Sequence, residues 1–370
     1  MPKTMTELLA LFPNNPTILD AAIKTEDHIN RQAQQGGKIM ISISGGSDSD
    51  IMLDLFERIG YPDGLVYYAW FDTGMEYQAT NRHLVYLEQR YGITIHRHRP
   101  KLTVAQTCKR YGVPFFTKRD SQRIEALQRH GFQFSGICAN GYKADEIYWN
   151  ENSRTSASHA AGLREFLECD PPEFTISDRC CTFAKKRPAR ETAKKIGATL
   201  ECIGVRKSEG GIRSIVLKSC FTDGKNGRAD MFRPIFWFSD ADKMEYEKFC
   251  EIRHSDCYTK WGFKRTGCAC CPFGSRFEEE LEVVRREEPA LYNLANKVFG
   301  QSYEYTRRYR RFKESLKRER RRKGQIDLFD DPYEIVKGGH RMKDLHTLDK
   351  YRDRNFERQY YGTNGDDGNG

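Results

Sequence analysis

The sequence lacks any apolar run long enough to span a lipid bilayer, and Met1-Pro2-Lys3-Thr4 does not lead into the apolar core of a signal peptide. It also lacks the Gly-x-x-x-x-Gly-Lys-Ser/Thr motif of Walker-type phosphate loops. With 370 residues, of which 38% are hydrophobic and 31% charged, the chain can bury a sizeable core. We therefore expect a cytoplasmic globular protein that has no membrane partner.

No cysteine follows Cys271, although the chain contains 12 cysteines in all. In a reducing compartment this number indicates a metal or cluster site and buried thiols rather than a disulfide framework. We predict buried, inert thiols at six of the positions: Cys108, Cys138, Cys169, Cys202, Cys220 and Cys250.

Two cysteine pairs have a spacing typical of metal ligands. Cys180 and Cys181 are adjacent, and Cys268 and Cys271 form a Cys-x-x-Cys motif. Four soft thiolates from two distant loops suit a tetrahedral zinc ion or a [4Fe-4S] cluster, and the cysteine count does not choose between them. The alternative ligands, which could replace either member of the first pair, are Cys257 and Cys270.

The positive charge of the chain is concentrated in one segment. Residues 307–323 contain eleven Lys or Arg and two Glu, an excess of nine that equals the formal net charge of +9. Tyrosines interleave with this run at Tyr303, Tyr305 and Tyr309, a pattern that favours binding of DNA or RNA. The other interpretation is a solvated helix face, which carries no ligand.

Short apolar runs, typical of strands, alternate along the chain with segments of helical periodicity. This order predicts a parallel sheet with right-handed connections. The predicted strands lie at residues 38–43, 65–71, 93–96 and 199–204, and a further strand near residue 231 leads into a helix capped by Ser239 or Asp240. Two long helices are expected at about 275–298 and 302–323. Ligands collect at the carboxyl ends of parallel strands, so residues after these strands are candidates for a binding site.

The first strand is followed by Ser44-Gly45-Gly46-Ser47-Asp48-Ser49, and a helix with apolar periodicity starts near Asp48. Glycines let backbone N–H groups converge, and the positive end of the helix dipole points at the same place, so this corner suits a phosphate. The simpler interpretation is a tight turn with a Ser or Asp helix cap.

Ser-Gly-Gly-x-Asp-Ser after an apolar strand resembles the PP-loop of the ATP-pyrophosphatase and adenine nucleotide alpha-hydrolase superfamily. The resemblance implies attack at the α-phosphate while the loop holds pyrophosphate. Ser47 stands where many members carry Lys.

The cysteine pattern and three further blocks resemble the phosphoadenosine phosphosulfate (PAPS) reductase family, and in particular the cluster motif of its adenylylsulfate reductases. The blocks are residues 71–76 (Phe-Asp-Thr-Gly-Met-Glu), residues 204–213 (Gly-x-Arg-x-x-Glu) and residues 233–242 (Arg-Pro-Ile through Asp). The resemblance covers roughly residues 36–275.

This resemblance implies an α/β fold, with a parallel twisted sheet and helices on both faces as in adenine nucleotide alpha-hydrolases, a Cys-rich cluster loop and a C-terminal helical extension. The expected domains are an N-terminal helical segment (1–35), the PP-loop domain (36–275), a basic helical extension (276–323) and a polar, partly disordered tail (324–370). The expected catalytic residues are Asp48, Asp72 and Arg206. The expected nucleotide-binding residues are Ser42, Ser44, Gly45, Gly46, Ser47, Asp48, Ser49, Asp72, Thr73, Gly74, Gly204, Arg206, Glu209 and Arg213.

Three functions remain open on this evidence. The first is an enzyme that uses ATP, with Mg²⁺ and a [4Fe-4S] cluster, to transfer sulfur from a donor protein, with a nucleic acid as a candidate acceptor. The second is reduction of adenylylsulfate or its 3′-phosphate, a reaction that in this family uses a cysteine in a C-terminal tail. The third is a nucleotide-sensing or nucleic-acid-binding module without catalysis.

Overall fold

The computed structural model describes residues 5–134, 149, 157–210 and 217–322. The strands in this part are β1 (Ile39–Ser42), β2 (Val66–Phe71), β3 (Ile95–His98), β4 (Leu200–Ile203), β5 (Phe221–Thr222) and β6 (Asp230–Phe232). The helices are α1 (Met5–Leu11), α2 (Pro16–Gln34), α3 (Ser47–Ile59), α4 (Gln78–Tyr91), α5 (Val104–Tyr111), α6 (Lys118–Arg129), α7 (Ala157–Cys169), α8 (Arg179–Cys181), α9 (Arg187–Ile196), α10 (Asp240–Phe249), α11 (Asp256–Thr259), α12 (Phe277–Glu287) and α13 (Pro289–Arg322).

The strands form one sheet in the order β3-β2-β1-β4-β6-β5. Neighbouring strands are parallel except for the short edge strand β5, which runs antiparallel to β6. In the register of the central strand, Ile41 lies between Tyr68 of β2 and Cys202 of β4. The predicted α/β class and parallel sheet are confirmed. Strand β5 was not predicted, because a strand of two residues has no recognisable sequence pattern.

Helices cover both faces of the sheet, because alternate residues of each strand point in opposite directions. On one face Ile39 and Ile41 share a core with Met52 of α3 and Leu84 of α4. On the other face Met40 packs with residues of β2 and α9, namely Ala69 and Ala193. Strands buried on both sides need continuous apolar runs, and β1 and β2 have them.

The C-terminal part differs from the prediction of two long helices at 275–298 and 302–323. The first helix ends at Glu287, and a single helix of 34 residues, α13, begins at Pro289 and continues through Gly300. Phe299 and Tyr303 on either side of this glycine are buried in the same core as α12, and this packing sustains the helix through a residue of low helix propensity. The predicted domain limits stay a prediction.

The α10 helix begins as the sequence suggested. Ser239 is its N-cap: the Ser239 Oγ accepts from the Asp242 N–H at 3.1 Å, and the Asp242 carboxylate accepts from the Ser239 N–H at 2.8 Å. In the described ranges, none of the helices has the length and apolar character that crossing a membrane requires.

Glu201 is a carboxyl group in the middle of β4, and burial, partly offset by Arg190 and Arg228, raises its pKa to about 7. The unfolded chain therefore binds fewer protons than the folded one between pH 4.5 and 7, so this group lowers the free energy of unfolding as the pH rises through that window. We expect Glu201→Gln to raise the free energy of unfolding at pH 8 by up to roughly 3 kcal/mol and to change it little at pH 4.5. Urea unfolding at the two pH values measures the difference.

Glu88 provides a control of opposite sign. Its carboxylate lies 2.7 Å from Arg97 Nη2, and although burial acts in the other direction, this partner holds the pKa of Glu88 below its usual value. Glu88→Gln should therefore lower stability at pH 8. Equal effects of the two variants at pH 8 would contradict the assigned environments.

Candidate functional site

The segment that joins β1 to α3, residues 44–49 (the phosphate loop), is tied together by its own hydroxyl groups. Ser49 Oγ accepts from the Ser44 N–H at 3.2 Å and donates to the Gly46 carbonyl at 2.8 Å. Gly45 has φ +68°, and a Cβ there would lie 2.6 Å from the Thr80 methyl group. The conformation and the space both require glycine at this position.

Asp48 in the first turn of α3 is surrounded by two cations. Its Oδ1 lies 2.8 Å from Lys243 Nζ and 3.1 Å from Arg206 Nε, and its side chain is only 14% exposed. Burial alone would raise the pKa of Asp48, but Lys243 and Arg206 hold it below its usual value. Asp48 therefore stays a carboxylate, and it joins α3, the end of β4 and α10.

Arg206 is almost fully buried and uses its guanidinium group in several directions. Besides the Asp48 contact, Nη1 donates to Ser208 Oγ at 2.8 Å and to Asp240 Oδ1 at 2.9 Å. Its backbone N–H donates to the Glu209 carboxylate at 3.3 Å. The Nη2 group has no hydrogen-bond partner among the residues described, so it is the part of the Arg206 guanidinium that is left to bind an anion.

Gly204 follows β4 and lies against the start of α3. A Cβ at this position would lie 2.8 Å from the Asp48 carbonyl oxygen and 2.9 Å from the Ser49 nitrogen. Those atoms are backbone and cannot turn away, so the close approach of the two chains depends on glycine. Ser42, at the end of β1, lies beside Ala69 and Ile203 in the neighbouring strands, directly below this corner.

The residues after β2 lie at the same edge of the sheet. Asp72 accepts from the Gly74 N–H at 2.9 Å and from Arg99 Nε at 3.2 Å. Thr73 is fully buried, and its Oγ1 lies 2.6 Å from Glu76 and 3.5 Å from Cys268 Sγ. The segment therefore connects the carboxyl edge of the sheet, where the phosphate loop lies, to a cysteine.

Three of the predicted ligand cysteines, Cys180, Cys181 and Cys268, lie in or against one core, and Cys271 lies within electrostatic range of all three. We call the four together the cysteine pocket. Burial and the neighbouring Cys268 and Cys181 raise the pKa of Cys271, and burial together with Cys181 raises that of Cys268. Each of these thiols thus lies within electrostatic range of a cysteine from the other pair. The structure brings together two pairs that are far apart in the sequence.

Lys185 supplies positive charge beside the pocket. Burial alone would lower the pKa of Lys185, but the neighbouring Cys268 and Glu76 hold it above its usual value. This lysine lies in a π-helical turn, Thr182–Lys186, that directly follows Cys181. Lys185 interacts with Cys181, Cys268 and Cys271. A cation beside these thiols favours their ionised form, which is the form that binds iron or zinc.

Four thiols can serve either a zinc ion or a four-iron cluster, and the two need different spacings of the donors. Within residues 5–134, 149, 157–210 and 217–322, no group of three or more His, Cys, Asp or Glu side chains has a geometry that could hold one metal ion. A zinc ion draws all its thiolates to about 2.3 Å from one point. A four-iron cluster needs the same four donors at wider separation, since each thiolate binds a different iron.

The other cysteines have different surroundings. Cys257 is fully buried, and burial raises its pKa to about 12. Hydrogen bonding with Ser255 and Thr80 acts in the other direction. Cys270 is fully buried and its backbone is held by two tyrosine hydroxyls. Cys108, predicted to be inert, interacts with Cys180 and is the main cause of the raised pKa of that thiol. No sequence signal marks Cys108, because it lies alone on α5.

Residues 254–271, which we call the bridging segment, contact both the phosphate loop and the cysteine pocket. A Cβ on Gly46 would lie 3.1 Å from Thr266 Oγ1 and 3.2 Å from the Tyr258 hydroxyl, so the segment packs directly on the loop. Two residues after Thr266 the same segment reaches Cys268. The phosphate loop and the pocket are therefore connected by one short piece of chain.

The basic run on α13 is only partly available to a ligand. Tyr303, Tyr305 and Tyr309 are buried, so they cannot stack on bases as predicted. Acidic residues of the fold pair with the arginines of the run: Arg307 and Arg310 with Glu278, Arg308 with Asp170, and Arg311 with Glu304. Arg213 and Lys323 lie outside the described residues, as do the side chains of residues 320–322.

Comparison with known proteins gives a family match. Residues 38–136 match the model of the phosphoadenosine phosphosulfate reductase domain, so the predicted family resemblance is confirmed there. No curated protein matches the chain.

Two solved structures are similar in outline. A PAPS reductase from Candida auris, in a phosphate complex, is 15% identical, with 66% of this chain and 87% of that chain covered and a TM-score of 0.38. The U34-tRNA thiolase NcsA from Methanococcus maripaludis, with its [4Fe-4S] cluster, is 13% identical, with 80% of each chain covered and a TM-score of 0.34.

Gly204→Ala tests the close approach of β4 to the phosphate loop. The added methyl group must displace backbone atoms of Asp48 and Ser49, so we expect the free energy of unfolding to fall by about 1–3 kcal/mol. Adenine nucleotide binding should weaken as well. Urea unfolding and calorimetric titration with ATP measure the two effects.

Gly300→Ala is the matched control, because a Cβ at this helical position has no atom within 4 Å. It should leave nucleotide binding unchanged and stabilise the protein by up to about 1 kcal/mol. If the two variants behave alike, the loop does not depend on Gly204.

Proposed function

We propose that this protein binds ATP on the phosphate loop and uses chemistry at the α-phosphate to transfer sulfur, with a [4Fe-4S] cluster held by the cysteine pocket. The observation that carries the proposal is the bridging segment, which packs on Gly46 and, a few residues later, supplies Cys268 and Cys271. A phosphate site and a thiol pocket joined in this way suit a reaction that activates one substrate with a nucleotide and delivers sulfur beside it.

The proposed reaction has two steps. An acceptor oxygen attacks the α-phosphorus of ATP, the bond to the β-phosphate oxygen breaks, and pyrophosphate leaves. Hydrosulfide supplied by a donor protein then attacks the adenylated centre of the acceptor, the new bond to sulfur forms, and AMP leaves with the former acceptor oxygen. Neither step is a redox reaction, so the phosphate chemistry itself needs no electron donor.

The loop supplies most of the electrostatics of the first step. Its backbone N–H groups and the dipole of α3 favour the negative charge that develops on pyrophosphate. The free Nη2 group of Arg206 can bind a phosphate oxygen there. Asp48 is already paired with two cations, whereas among the described residues Asp72 has one cationic partner, Arg99, whose side chain is 87% exposed. Asp72 is therefore the better ligand for a hydrated Mg²⁺.

The cysteine pocket fits the cluster through its four thiols and the cation of Lys185. A bound [4Fe-4S] cluster would supply redox and electrostatic chemistry beside the nucleotide. Thr73 lies between Cys268 and Glu76, and it connects the pocket to the strand end that carries Asp72. This contact would connect a cluster in the pocket to a nucleotide bound at the end of the sheet.

A nucleic acid is the acceptor class that the charge distribution favours. Since the tyrosines of α13 are buried, contact would occur through phosphate groups rather than by base stacking. Such binding weakens steeply with salt, because it releases counterions. Arg318 is exposed on this helix and has no resolved ion pair among the described residues, so it is a candidate contact.

Reduction of a sulfonucleotide is the second candidate, and the match of residues 38–136 to the PAPS reductase domain favours it. The two reactions differ in their products. Sulfur transfer releases AMP and pyrophosphate from ATP, whereas reduction releases sulfite from adenylylsulfate or its 3′-phosphate in the presence of a thiol.

Anaerobically prepared protein should release pyrophosphate from Mg-ATP, and the release should increase when RNA or DNA is added. Asp72→Asn should lower the rate at least about 10-fold and leave ATP affinity within a few-fold, because one Mg²⁺ ligand is removed and the loop is intact. The control is Asp63→Asn, an exposed position before β2 at the opposite edge of the sheet. Sulfite release from a sulfonucleotide, with no turnover of ATP, would replace this proposal with the reductase.

A further inference from the structure

We propose that Lys243 of α10 is the cation that binds the phosphate chain of the nucleotide at the phosphate loop. The proposal rests on the proposed function, because it assigns a residue to the same site. The ligand class is a pyrophosphate or the β- and γ-phosphates of a nucleoside triphosphate. Lys243 is 196 residues away from Ser47 in the sequence, and the fold alone brings the two together.

The start of α10 is fixed in two ways, so the position of Lys243 is well determined. The capping box of Ser239 and Asp242 sets the first turn of the helix. Asn15, at the N-cap of α2, donates to Asp242 Oδ1 at 2.9 Å and to Glu245 Oε2 at 2.7 Å. Lys243 lies between these two anchored carboxylates and extends from the helix to the phosphate loop.

The ammonium group of Lys243 contacts the phosphate loop directly. Its Nζ donates to Ser47 Oγ at 2.5 Å and to Asp48 Oδ1 at 2.8 Å, and the side chain is 17% exposed. An ammonium group has three protons to donate. Among the described residues the third has only Glu247, at 3.7 Å, which is longer than a hydrogen bond. One donor is therefore available at the loop.

Glu247 is itself held in place from the other side. His254 Nε2 lies 2.8 Å from its carboxylate, and His254 Nδ1 lies 2.8 Å from Asp50 in the first turn of α3. Although burial would lower it, these two carboxylates raise the pKa of His254 to about 9, so the imidazole is a cation at neutral pH. The contacts from Asp50 through His254 and Glu247 therefore link Lys243 to α3, the helix whose N-terminus carries the phosphate loop. They restrain the lysine beside that loop.

These contacts favour a phosphate chain over a nucleoside. Lys243 and Arg206 both pair with the Asp48 carboxylate in the loop. Each of the two side chains has one further donor for an anion, the third proton of Lys243 and the Nη2 group of Arg206. The loop itself has no Lys, since Ser47 occupies the position that precedes Asp48. Lys243 supplies a cation at that place, and adenosine, which has no phosphate, makes no contact with it.

The test compares ligands as well as variants. Calorimetric titration of wild type and Lys243→Met with ATP, inorganic pyrophosphate and adenosine separates loss of the phosphate contact from general damage. We expect Lys243→Met to weaken ATP and pyrophosphate about 10- to 100-fold and to leave adenosine within 3-fold, as befits one charge-assisted hydrogen bond. Lys248→Met is the matched control on the same helix, because Lys248 is exposed and points away from the loop onto Phe249. It should bind all three ligands as the wild type does.

Two results would overturn the inference. The first is that Lys243→Met binds ATP and pyrophosphate with wild-type affinity. The second is that its affinity for adenosine falls as much as its affinity for ATP, which indicates collapse of the site. If the wild type itself does not bind ATP, the proposed function fails, and Lys243 fails with it. ATP binding by the wild type together with an unaffected Lys243→Met leaves the proposed function in place and removes only the lysine.

A measurement on the wild type covers the case in which Lys243→Met does not fold. Reductive methylation followed by mass spectrometry reports how fast each amine reacts. Saturating pyrophosphate should slow the labelling of Lys243 at least about 10-fold relative to Lys248, because a bound phosphate takes the free donor. Unchanged labelling of Lys243 with pyrophosphate would overturn the inference.

Discussion

The buried carboxylate of Asp48 is the interaction on which the site depends. It lies in the first turn of α3 and pairs with Arg206 from the segment after β4 and with Lys243 from α10. A buried carboxylate is costly unless cations compensate it, so these three segments must meet if the fold is to form. Their meeting point is the phosphate loop, and the ion pairs that stabilise the fold also place hydrogen-bond donors around that loop.

The bridging segment extends this arrangement to the cysteines. His254 contacts Asp50 in α3, the Tyr258 hydroxyl and Thr266 pack on Gly46, and Cys268 contacts Thr73 at the end of β2. A change at the loop therefore has a short covalent and packed path to the pocket. This arrangement brings two sequence motifs that are far apart in the chain into one region of the structure.

The central strands could be predicted from the sequence, because β1 and β2 are continuous apolar runs and β4 alternates buried Leu200 and Cys202 with half-buried Glu201 and Ile203. The phosphate loop and the Ser239 cap were also predictable, since both follow from local rules. The single helix α13 was not, because burial of Phe299 and Tyr303 overrides the local preference of Gly300. Burial likewise changed the interpretation of Tyr305 and Tyr309, whose spacing fits a core as well as a stacking surface.

Lys243 and Cys108 could not be predicted, because each lies on a helix whose local pattern says nothing about a partner distant in the sequence. The predicted cysteine pairs were accessible to sequence reasoning, since adjacent cysteines and Cys-x-x-Cys are themselves local patterns. Their convergence required the packing of the bridging segment against β2. The phosphate loop and the cysteine pairs can thus be recognised from the sequence, whereas the contacts that bring them together are seen only in the structure.

The most direct measurement is iron and sulfide analysis of anaerobically purified protein, with a visible spectrum recorded before and after addition of ATP. The account predicts about four iron and four sulfide per chain. It also predicts loss of both in a Cys268→Ala, Cys271→Ala double variant, retention in Cys220→Ala, and a change of the spectrum on ATP binding. A colourless, metal-free wild type, or a cluster whose spectrum does not respond to saturating ATP, would contradict the claim that the phosphate loop and the cysteine pocket form one site.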